Sequence, residues 1–500
     1  MNVVPAGPPL HGATPLYTAA GTRALDQAAI EGHGIPGYLL MSRAGERAFL
    51  SARARWPEAR RWQIYCGAGN NAGDGYVIAR LAREHGIDTV VTALVDPERL
   101  RGDAATAFAA FRDGDGSTTP WTGEPPDAEL VIDALLGTGL DRPVEGAFAA
   151  AIAAINASGR PVVAIDIPSG LAADSGGILG NAVRAVMTVT FIGGKQGLFT
   201  GQGRACTGEL VFDPLGVPRK IYGDVAPSAW LLDQRTPASY LPARAPDTHK
   251  GSFGFVAVVG GDRGMPGAVQ LAGEASLRTG AGMTRVATHP DHASLIPLSC
   301  PPLMAAAVAD ARAVAAVLDW ASVLALGPGL GQSDWSEAVF EAGMASDLPC
   351  VVDADGLNWL AARPRRRDDW VLTPHPGEAA RLLDRETVDI QVDRFGAARE
   401  IQARYGGTCV LKGSGTIIAA EHWTAVCQGG NPGMATAGMG DVLTGVIAAL
   451  IAQGLTAEEA AAVGACVHAA AGDRAAGAGE RGLIATDVIG ELRAVVNPGA

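Results

Sequence analysis

The sequence predicts an α/β protein of two successive units, the first built on a doubly wound parallel sheet. Two observations carry that expectation. Short apolar runs of strand length recur along the chain, separated by stretches with helical spacing. Such alternation marks strand–helix–strand crossovers, which bury a parallel sheet on both faces. Glycine clusters also stand where those runs end, and open α/β sheets bind ligands beyond the carboxyl ends of their strands.

Taken in order, residues 16 to about 55 read as helix. Leu25, Ala28, Ala29, Leu39, Leu40, Ala44 and Phe49 fall at helical spacing, with a break at Gly32–Pro36. Trp62–Cys66, Val90–Val95, Leu130–Leu135, Val162–Ile167 and Met187–Ile192 read as buried parallel strands, with helices such as Tyr76–Glu84 and Asp103–Phe111 between them. Between Pro214 and Pro246 the chain is rich in Pro, Arg and Asp and shows no sustained period. The domain boundary is placed there, near residue 235, dividing the chain into 1–235 and 236–500. A second alternating series follows: Phe253–Gly260, Val323–Leu326, Cys350–Val352, Val371–Leu372, Thr408–Leu411 and Thr416–Ala419. Asp441–Val496 reads as nearly all helical. No internal repeat links the two halves, whose glycine signatures differ.

The 500 residues suit about two to four domains. Hydrophobic residues at 48% and charged residues at 18% mean packed cores rather than disorder. A net charge of -13 opposes broad contact with nucleic acid or an anionic membrane. Any phosphate must then be held locally, by backbone N–H groups at helix starts. Seven cysteines include no C-x-x-C pair and sit mostly among apolar residues, so they read as buried free thiols of a reducing compartment. Met1–Pro9 lacks a basic n-region and is not read as a signal peptide. The apolar run Val442–Leu455 is interrupted by Thr444, Gly445, Gln453 and Gly454, too broken to span a bilayer. A cytoplasmic protein that touches neither membrane nor nucleic acid is expected.

The first glycine cluster, Cys66-Gly67-Ala68-Gly69-Asn70-Asn71-Ala72-Gly73-Asp74-Gly75, leaves a predicted strand and opens a predicted helix. Its glycines permit positive φ and close approach of backbone to a ligand, and its N–H groups suit a phosphate. It is not the G-x-G-x-x-G fingerprint. The local residues leave two readings open, a tight structural turn and an anion cradle. Asp133 precedes Gly137-Thr138-Gly139-Leu140, and Asp166 and Ser169 lie in Ile165-Asp166-Ile167-Pro168-Ser169-Gly170. Asn71, Asp133 and Ser169 can converge as oxygen ligands of a weakly held hard cation, or each Asp can simply cap a helix.

These three stretches, with Leu25-Asp26-Gln27-Ala28-Ala29-Ile30 and Gly34-Ile35-Pro36-Gly37, resemble the YjeF N-terminal family. That resemblance implies a Rossmann-like NAD(P)H-hydrate epimerase. It implies that Asn70, Asn71, Ala72, Gly73 and Asp74, with Gly137, Thr138, Gly139, Leu140, Asp141, Arg142 and Pro143, hold the substrate phosphates and ribose. It further implies that Asp166 contacts substrate and that Asn71, Asp133 and Ser169 bind K+. Ala72 stands where the family usually has glycine, and Ser42 where a Glu often follows the methionine. Inverting the hydroxylated ring carbon proceeds by ring opening or by loss and return of the hydroxyl. Either route needs an acid/base group, for which Asp166 is the candidate.

In the second half, Gly429-Gly430-Asn431-Pro432-Gly433-Met434-Ala435-Thr436-Ala437-Gly438-Met439-Gly440-Asp441 runs straight into the helical Val442–Leu450. Bare N–H groups and a helix start make an anion hole for a phosphoryl group in transfer. Asp441, in the first turn, can accept a proton from an attacking hydroxyl, though an Asp there can also be a plain cap. Lys412-Gly413-Ser414-Gly415-Thr416 follows a strand and suits the α-phosphate and ribose of a nucleotide, without Walker A spacing. His249-Lys250-Gly251, Gly260-Gly261-Asp262, Gly327-Pro328-Gly329-Leu330-Gly331 and Thr373-Pro374-His375-Pro376-Gly377-Glu378 add turns at strand ends. His375, between prolines, is rigidly presented.

Together with Gly264–Ala268, Val352–Asn358 and Gly482–Asp487, these segments resemble the YjeF C-terminal family of ribokinase-like NAD(P)H-hydrate dehydratases, over nearly all of His249–Val488. The resemblance implies that Ala268, Gly329, His375 and Asp441 bind the hydrate. It implies that Lys412, Gly413, Ser414, Gly415, Thr416 and Gly440 bind the adenine nucleotide, ADP rather than ATP, with Mg2+ bridging its phosphates. Met439 replaces a Ser seen in many relatives. The substrates implied are the R and S forms of NADHX and NADPHX, in an expected homo-oligomer. A ribokinase-like small-molecule kinase with an N-terminal scaffold shares the glycine-rich hole and Asp441 but leaves the first unit's motifs unexplained. A scaffold or RNA-interaction role for that unit runs against the acidic charge and the presence of Asn71, Asp133, Asp166 and Ser169.

Overall fold

The computed structural model describes residues 10–233 and 236–497. The boundary placed at residue 235 and the reading of Met1–Pro9 lie outside the described residues. The chain clusters into two compact units, Pro15–Ala229 and the part from Trp230 onward, the second also taking in Leu10–Thr14.

The first unit holds strands β1 (Thr14–Tyr17), β2 (Arg61–Cys66), β3 (Asp88–Ala93), β4 (Thr118–Pro120), β5 (Leu130–Ala134), β6 (Val162–Ile165), β7 (Met187–Phe191), β8 (Gly194–Lys195) and β9 (Glu209–Asp213). Seven of these form one parallel sheet in the order β4-β3-β2-β5-β6-β7-β9. The order runs outward both ways from β2 and β5, so a switch point lies between them. Ligand crevices of doubly wound sheets open there. Helices Gly37–Arg55, Asn70–Glu84 and Gly102–Asp113 pack their apolar stripes on the sheet, burying Leu40, Phe49, Tyr76, Ile78 and Phe111. Each such side chain contributes about 1.5–3 kcal/mol.

The expected helix from residue 16 is corrected at its start. Thr14–Tyr17 is extended and pairs in parallel with β8, Leu16 with Gly194 and Tyr17 with Lys195. The helix begins at Ala19, capped by the Thr18 hydroxyl accepting the Gly21 N–H at 3.1 Å. Four residues carry no helical or alternating period of their own, so pairing with a distant strand decides them. The break at Gly32–Pro36 is real: the first helix ends through a π turn, Ala28–Gly32, and the next starts at Gly37.

The second unit holds β10 (Ala229–Leu232), β11 (Phe255–Val259), β12 (Met283–Thr288), β13 (Met304–Ala307), β14 (Val323–Leu326), β15 (Cys350–Val352), β16 (Trp370–Leu372), β17 (Thr408–Leu411), β18 (Thr416–Ala419) and β19 (Thr424–Cys427). They run in the order β13-β12-β11-β14-β15-β16-β17-β18-β19-β10. The strands from β13 to β17 are parallel, β18 is antiparallel to both neighbours, and β10 pairs in parallel with β19. β10 lies in the stretch read as aperiodic. Its four residues, Ala229-Trp230-Leu231-Leu232, are strand only because β19 offers an edge. The all-helical end is borne out as Met439–Ala452, Ala457–Ala475 and Ala485–Val495. Met439–Ala452 is apolar all round and almost entirely buried, as a central helix must be. Gly445 lets it approach helix Pro266–Thr279: a Cβ there would lie 2.1 Å from the Ala272 carbonyl oxygen.

Candidate functional site

In the first unit, β2 and β5 deliver their ends to a cleft of about 760 Å³. Gly67 has to be glycine, since a Cβ would sit 1.8 Å from the Leu135 carbonyl oxygen, where the two strand ends touch. Asn70, Asn71, Asp74, Gly137, Thr138, Gly139, Leu140, Asp141, Arg142 and Asp166 all line the cleft. Ala72, Gly73 and Pro143 do not. Ala72 is in the core, its N–H given to the Gly69 carbonyl at 3.0 Å. Gly73 faces the Met41 thioether and Ala104, and Pro143 is exposed. Gly73 therefore has a packing reason to be glycine.

Asn71, Asp133 and Ser169 are brought together behind the loop. The Ser169 hydroxyl donates to Asp133 Oδ1 at 2.6 Å and accepts the Leu136 N–H at 2.8 Å, while the Ser169 N–H donates to Asp133 Oδ2 at 2.8 Å. Asn71 Nδ2 donates to the Leu136 carbonyl at 3.0 Å, and its buried Oδ1 has no partner. Burial pushes Asp133 up to about 6 despite these hydrogen bonds.

Asp166 stands on β6's end in the left-handed region, φ 67°, inside a three-residue turn closed by the Ile167 N–H and Ile165 carbonyl at 2.8 Å. Ile192, at φ 60°, repeats the device one strand over, closed by Gly193 and Phe191 at 2.6 Å. Both residues line the cleft, and strain of this kind costs about 1–3 kcal/mol per residue. The sequence reading missed the partner of Asp166. Lys195, 1% exposed, ion-pairs with Asp166 and donates to Thr190 Oγ1 and the Phe191 carbonyl, each at 3.1 Å. Asp26, on helix Ala19–Gln27, also lines the cleft. Burial pushes Asp26 up to about 6, with Lys195 opposing and Asp166 adding. Asp74 is driven well above the carboxylate range by burial and then by Asp166 and Asp26.

In the second unit the sequence-picked residues all stand at the carboxyl ends of parallel strands or at the helix starts that follow. Ala268 opens helix Pro266–Thr279 and faces Gly329, where a Cβ would lie 3.0 Å from the Ala268 Cβ. Gly438, at φ 88°, starts the buried helix, and Asp441 is in its first turn. Burial and then the Asp353 charge push Asp441 up to about 7, with Lys412 opposing and Glu378 and Asp355 adding.

Lys412 is nearer this helix start than its motif suggests. Its Nζ is 2.5 Å from Asp353 Oδ1 and 3.7 Å from Glu378 Oε2, and a Cβ on Gly440 would lie 3.0 Å from it. Although burial disfavours its charge, Asp353 and Glu378 hold the ammonium above its ordinary value. Thr444 Oγ1 donates to Asp353 Oδ2 at 2.8 Å. Asp353, Glu378 and Thr444 were not singled out as functional from the sequence. Thr416 opens β18, and Gly413, Ser414 and Gly415 form the loop between β17 and β18. Buried Arg394 holds it, donating to the carbonyls of Leu411 at 3.3 Å and Lys412 at 3.1 Å. His375 is occupied as a helix cap: its Nδ1 accepts the Gly377 N–H at 2.9 Å and Glu378 returns a bond to its N–H at 2.7 Å. Its Nε2 lies 3.4 Å from Glu378 Oε1. His249 caps a short turn in the same manner.

Among the described residues, no group of three or more His, Cys, Asp or Glu side chains is poised for a metal, and no helix is long and apolar enough to cross a membrane. All seven cysteines are buried free thiols.

Comparison with known proteins adds the following. A family model described as NAD(P)H-hydrate dehydratase matches residues 256–493, and one described as YjeF-related protein N-terminus matches residues 37–197. The chain is 47% identical over 489 residues to the bifunctional NAD(P)H-hydrate repair enzyme Nnr of Coxiella burnetii, covering 97% of this chain and 100% of that one. It is 41% identical over 480 residues to the Escherichia coli enzyme of the same name, 93% of this chain and 90% of that one. Among solved structures, a ribokinase-like superfamily protein from Enterococcus faecalis is 27% identical with a TM-score of 0.50, over 53% of this chain and 94% of that one.

Proposed function

The chain belongs to the bifunctional NAD(P)H-hydrate repair enzymes, and from that premise we propose how its two sites divide the work. As a member it is an enzyme of both kinds, epimerising the hydrates of NADH and NADPH and dehydrating them at the expense of an adenine nucleotide. We assign epimerisation of the R and S forms to the cleft of residues 15–229 and dehydration of the S form to the site around Asp441, with ADP the favoured nucleotide.

The observation that carries the dehydratase assignment is Asp441 at the glycine-lined start of a buried helix, with the Lys412 ammonium beside it. Asp441 takes the proton of the ring hydroxyl as its oxygen attacks phosphorus. Bare N–H groups and Lys412 offset the charge on the phosphoryl oxygens. Phosphate then leaves with the electron pair of its C–O bond, a proton leaves the neighbouring carbon, and the dihydronicotinamide double bond returns. AMP and inorganic phosphate are the other products. In the first unit Asp166 is the acid/base group.

The unpartnered Asn71 Oδ1, with Asp133, Ser169 Oγ and the Leu136 carbonyl around it, supplies the oxygen donors that a K+ ion takes. Bound there, the ion adds fixed positive charge beside the phosphate-binding loop. Mg2+ fits the second site as the nucleotide's own metal, held chiefly by phosphate oxygens and water with one or two carboxylates. A cytoplasmic, homo-oligomeric protein completes the proposal; light scattering reads its assembly.

The test offers hydrated NADH, both epimers, with ADP or ATP, and follows dihydronicotinamide absorbance. Full recovery supports the reading. A stable phosphorylated product supports a small-molecule kinase instead, and recovery that stalls with the R form unspent removes the epimerase.

A further inference from the structure

We propose that the first unit moves protons with two carboxyl groups: Asp166, ion-paired with the buried Lys195, takes the proton of the ring hydroxyl, and Asp26 gives one to the adjacent ring nitrogen. The proposal rests on the epimerase reading of that cleft. Lys195 is a positioning residue; Asp166 and Asp26 are the catalytic pair.

The geometry limits what Lys195 can do. An ammonium has three N–H donors, and here they meet three acceptors: Asp166, Thr190 Oγ1 and the Phe191 carbonyl. No lone pair is offered to a substrate, so Lys195 serves as a fixed charge. Its backbone is pinned by the Tyr17–Lys195 pairing of β1 and β8, and β1 leads directly into the helix that carries Asp26. One structural device thus sets both carboxyl groups. The Asp26 carboxyl makes no hydrogen bond or ion pair among the described residues, though it lines the cleft. It is free to turn to a ligand, whereas Asp166 is tied. Arg23, Asp74, Asp103, Asp141 and Arg142 complete the charged lining. Asp74, more deeply buried, is pushed well above the carboxylate range by burial and then by Asp166 and Asp26. Asp26, pushed up to about 6, can give and take one near neutral pH.

The step balances without a co-reactant. Asp166 accepts the hydroxyl proton, the C–O bond becomes C=O, and the bond from that carbon to the ring nitrogen breaks. The released electron pair on nitrogen takes the Asp26 proton. After rotation of the open aldehyde, nitrogen attacks its other face, returns its proton to Asp26, and the oxygen recovers its proton from Asp166.

The test uses the full chain, the separated R epimer of hydrated NADH without nucleotide, and chromatographic measurement of S epimer from pH 5 to 9. Asp26→Asn is expected to lower kcat by about a hundredfold or more with little change in KM. Lys195→Met removes the counter-charge that Asp166 faces, so kcat is expected to fall at least severalfold with KM little changed, and Lys195→Arg to restore much of it. Circular dichroism melts report whether the buried lysine's loss unfolds the unit; Asp26→Asn and Lys195→Arg decide the question if it does. Wild-type kcat in Asp26→Asn or in Asp166→Asn, or wild-type kcat in folded Lys195→Met, overturns the proposal. A wild-type chain without epimerase activity sinks the underlying epimerase reading instead.

Discussion

Replacing Asp441 by Asn is expected to abolish dehydration and, at the same time, to stabilise the second unit in a pH-dependent way. Burial and the Asp353 charge raise the Asp441 carboxyl from 3.8 to about 7. The folded state therefore binds this proton more tightly than the unfolded chain, and stability falls as pH rises from about 4 through 7. That rise corresponds to about 4 kcal/mol at 1.36 kcal/mol per pH unit; the half-buried position, open to solvent on one side, reduces it to about 2 kcal/mol. Asn carries no charge at any pH, so the variant gains this amount at pH 8 and nothing at pH 4. At about 2–4 °C per kcal/mol for a unit of this size, Tm is expected to rise by about 4–8 °C at pH 8. Dehydration should fall by about a hundredfold to ten-thousandfold, the range of a lost general base, with epimerisation intact. Calorimetry at the two pH values and dihydronicotinamide absorbance read both effects. An Asn variant that dehydrates at the wild-type rate refutes the base assignment. One that is inactive but gains nothing at pH 8 refutes the account of why this carboxyl is held near neutrality.

In the wild-type enzyme the dehydration rate is expected to climb as pH rises through about 7, where Asp441 loses its proton, in a kcat/KM profile with saturating nucleotide. Lys412→Met strands the buried Asp353 carboxylate and is expected to cost about 3–5 kcal/mol in urea unfolding, with the double variant Lys412→Met/Asp353→Leu recovering much of it. Asn71→Ala removes the one unpartnered oxygen behind the phosphate loop and is expected to raise the K+ concentration for half-maximal epimerisation by about tenfold, measured against Na+. Arg394→Met releases the loop between β17 and β18 and is expected to raise the KM for ADP severalfold while epimerisation is unchanged.

The parallel strands were legible because they are buried on both faces and read as unbroken apolar runs. Val323–Leu326, Cys350–Val352 and Thr408–Leu411 fall where the sequence places them. The strands that escaped, such as Thr118–Pro120, Glu209–Asp213 and Met304–Ala307, are short, partly exposed, or set by a neighbour's edge. The glycine loops were legible for a different reason: close backbone approach leaves a mark in residue type, as at Gly67 against Leu135. Paired charges leave no such mark. Lys195 with Asp166 and Lys412 with Asp353 are separated by 29 and 59 residues, so neither partner signals the other locally.

A signal for the two lysines nonetheless exists in composition. Of 39 basic residues only four are lysine: Lys195, Lys220, Lys250 and Lys412. Lys195 is the only charge between Ala185 and Gly203, and Lys412 closes an apolar strand. Two of the four lysines stand at strand ends, each against a buried or half-buried carboxylate. The physical reason lies in the shape of the ions. A guanidinium spreads its charge over a rigid planar fork, whereas an ammonium is a compact point charge whose three donors can be spent in a tight corner. At both strand ends the corner is tight: a Cβ on Gly440 would lie 3.0 Å from Lys412 Nζ, and Lys195 is enclosed by the Phe191 carbonyl of β7. In an acidic protein of net charge -13, these two ammonium groups bring fixed positive charge into the two sites, alongside Arg23 and Arg142 in the lining of the first cleft. Arginine at position 412, too large for its corner, should preserve the charge and lose the geometry in part. The two lysines are therefore the positions at which the electrostatics of each site can be varied with the backbone cradle left in place.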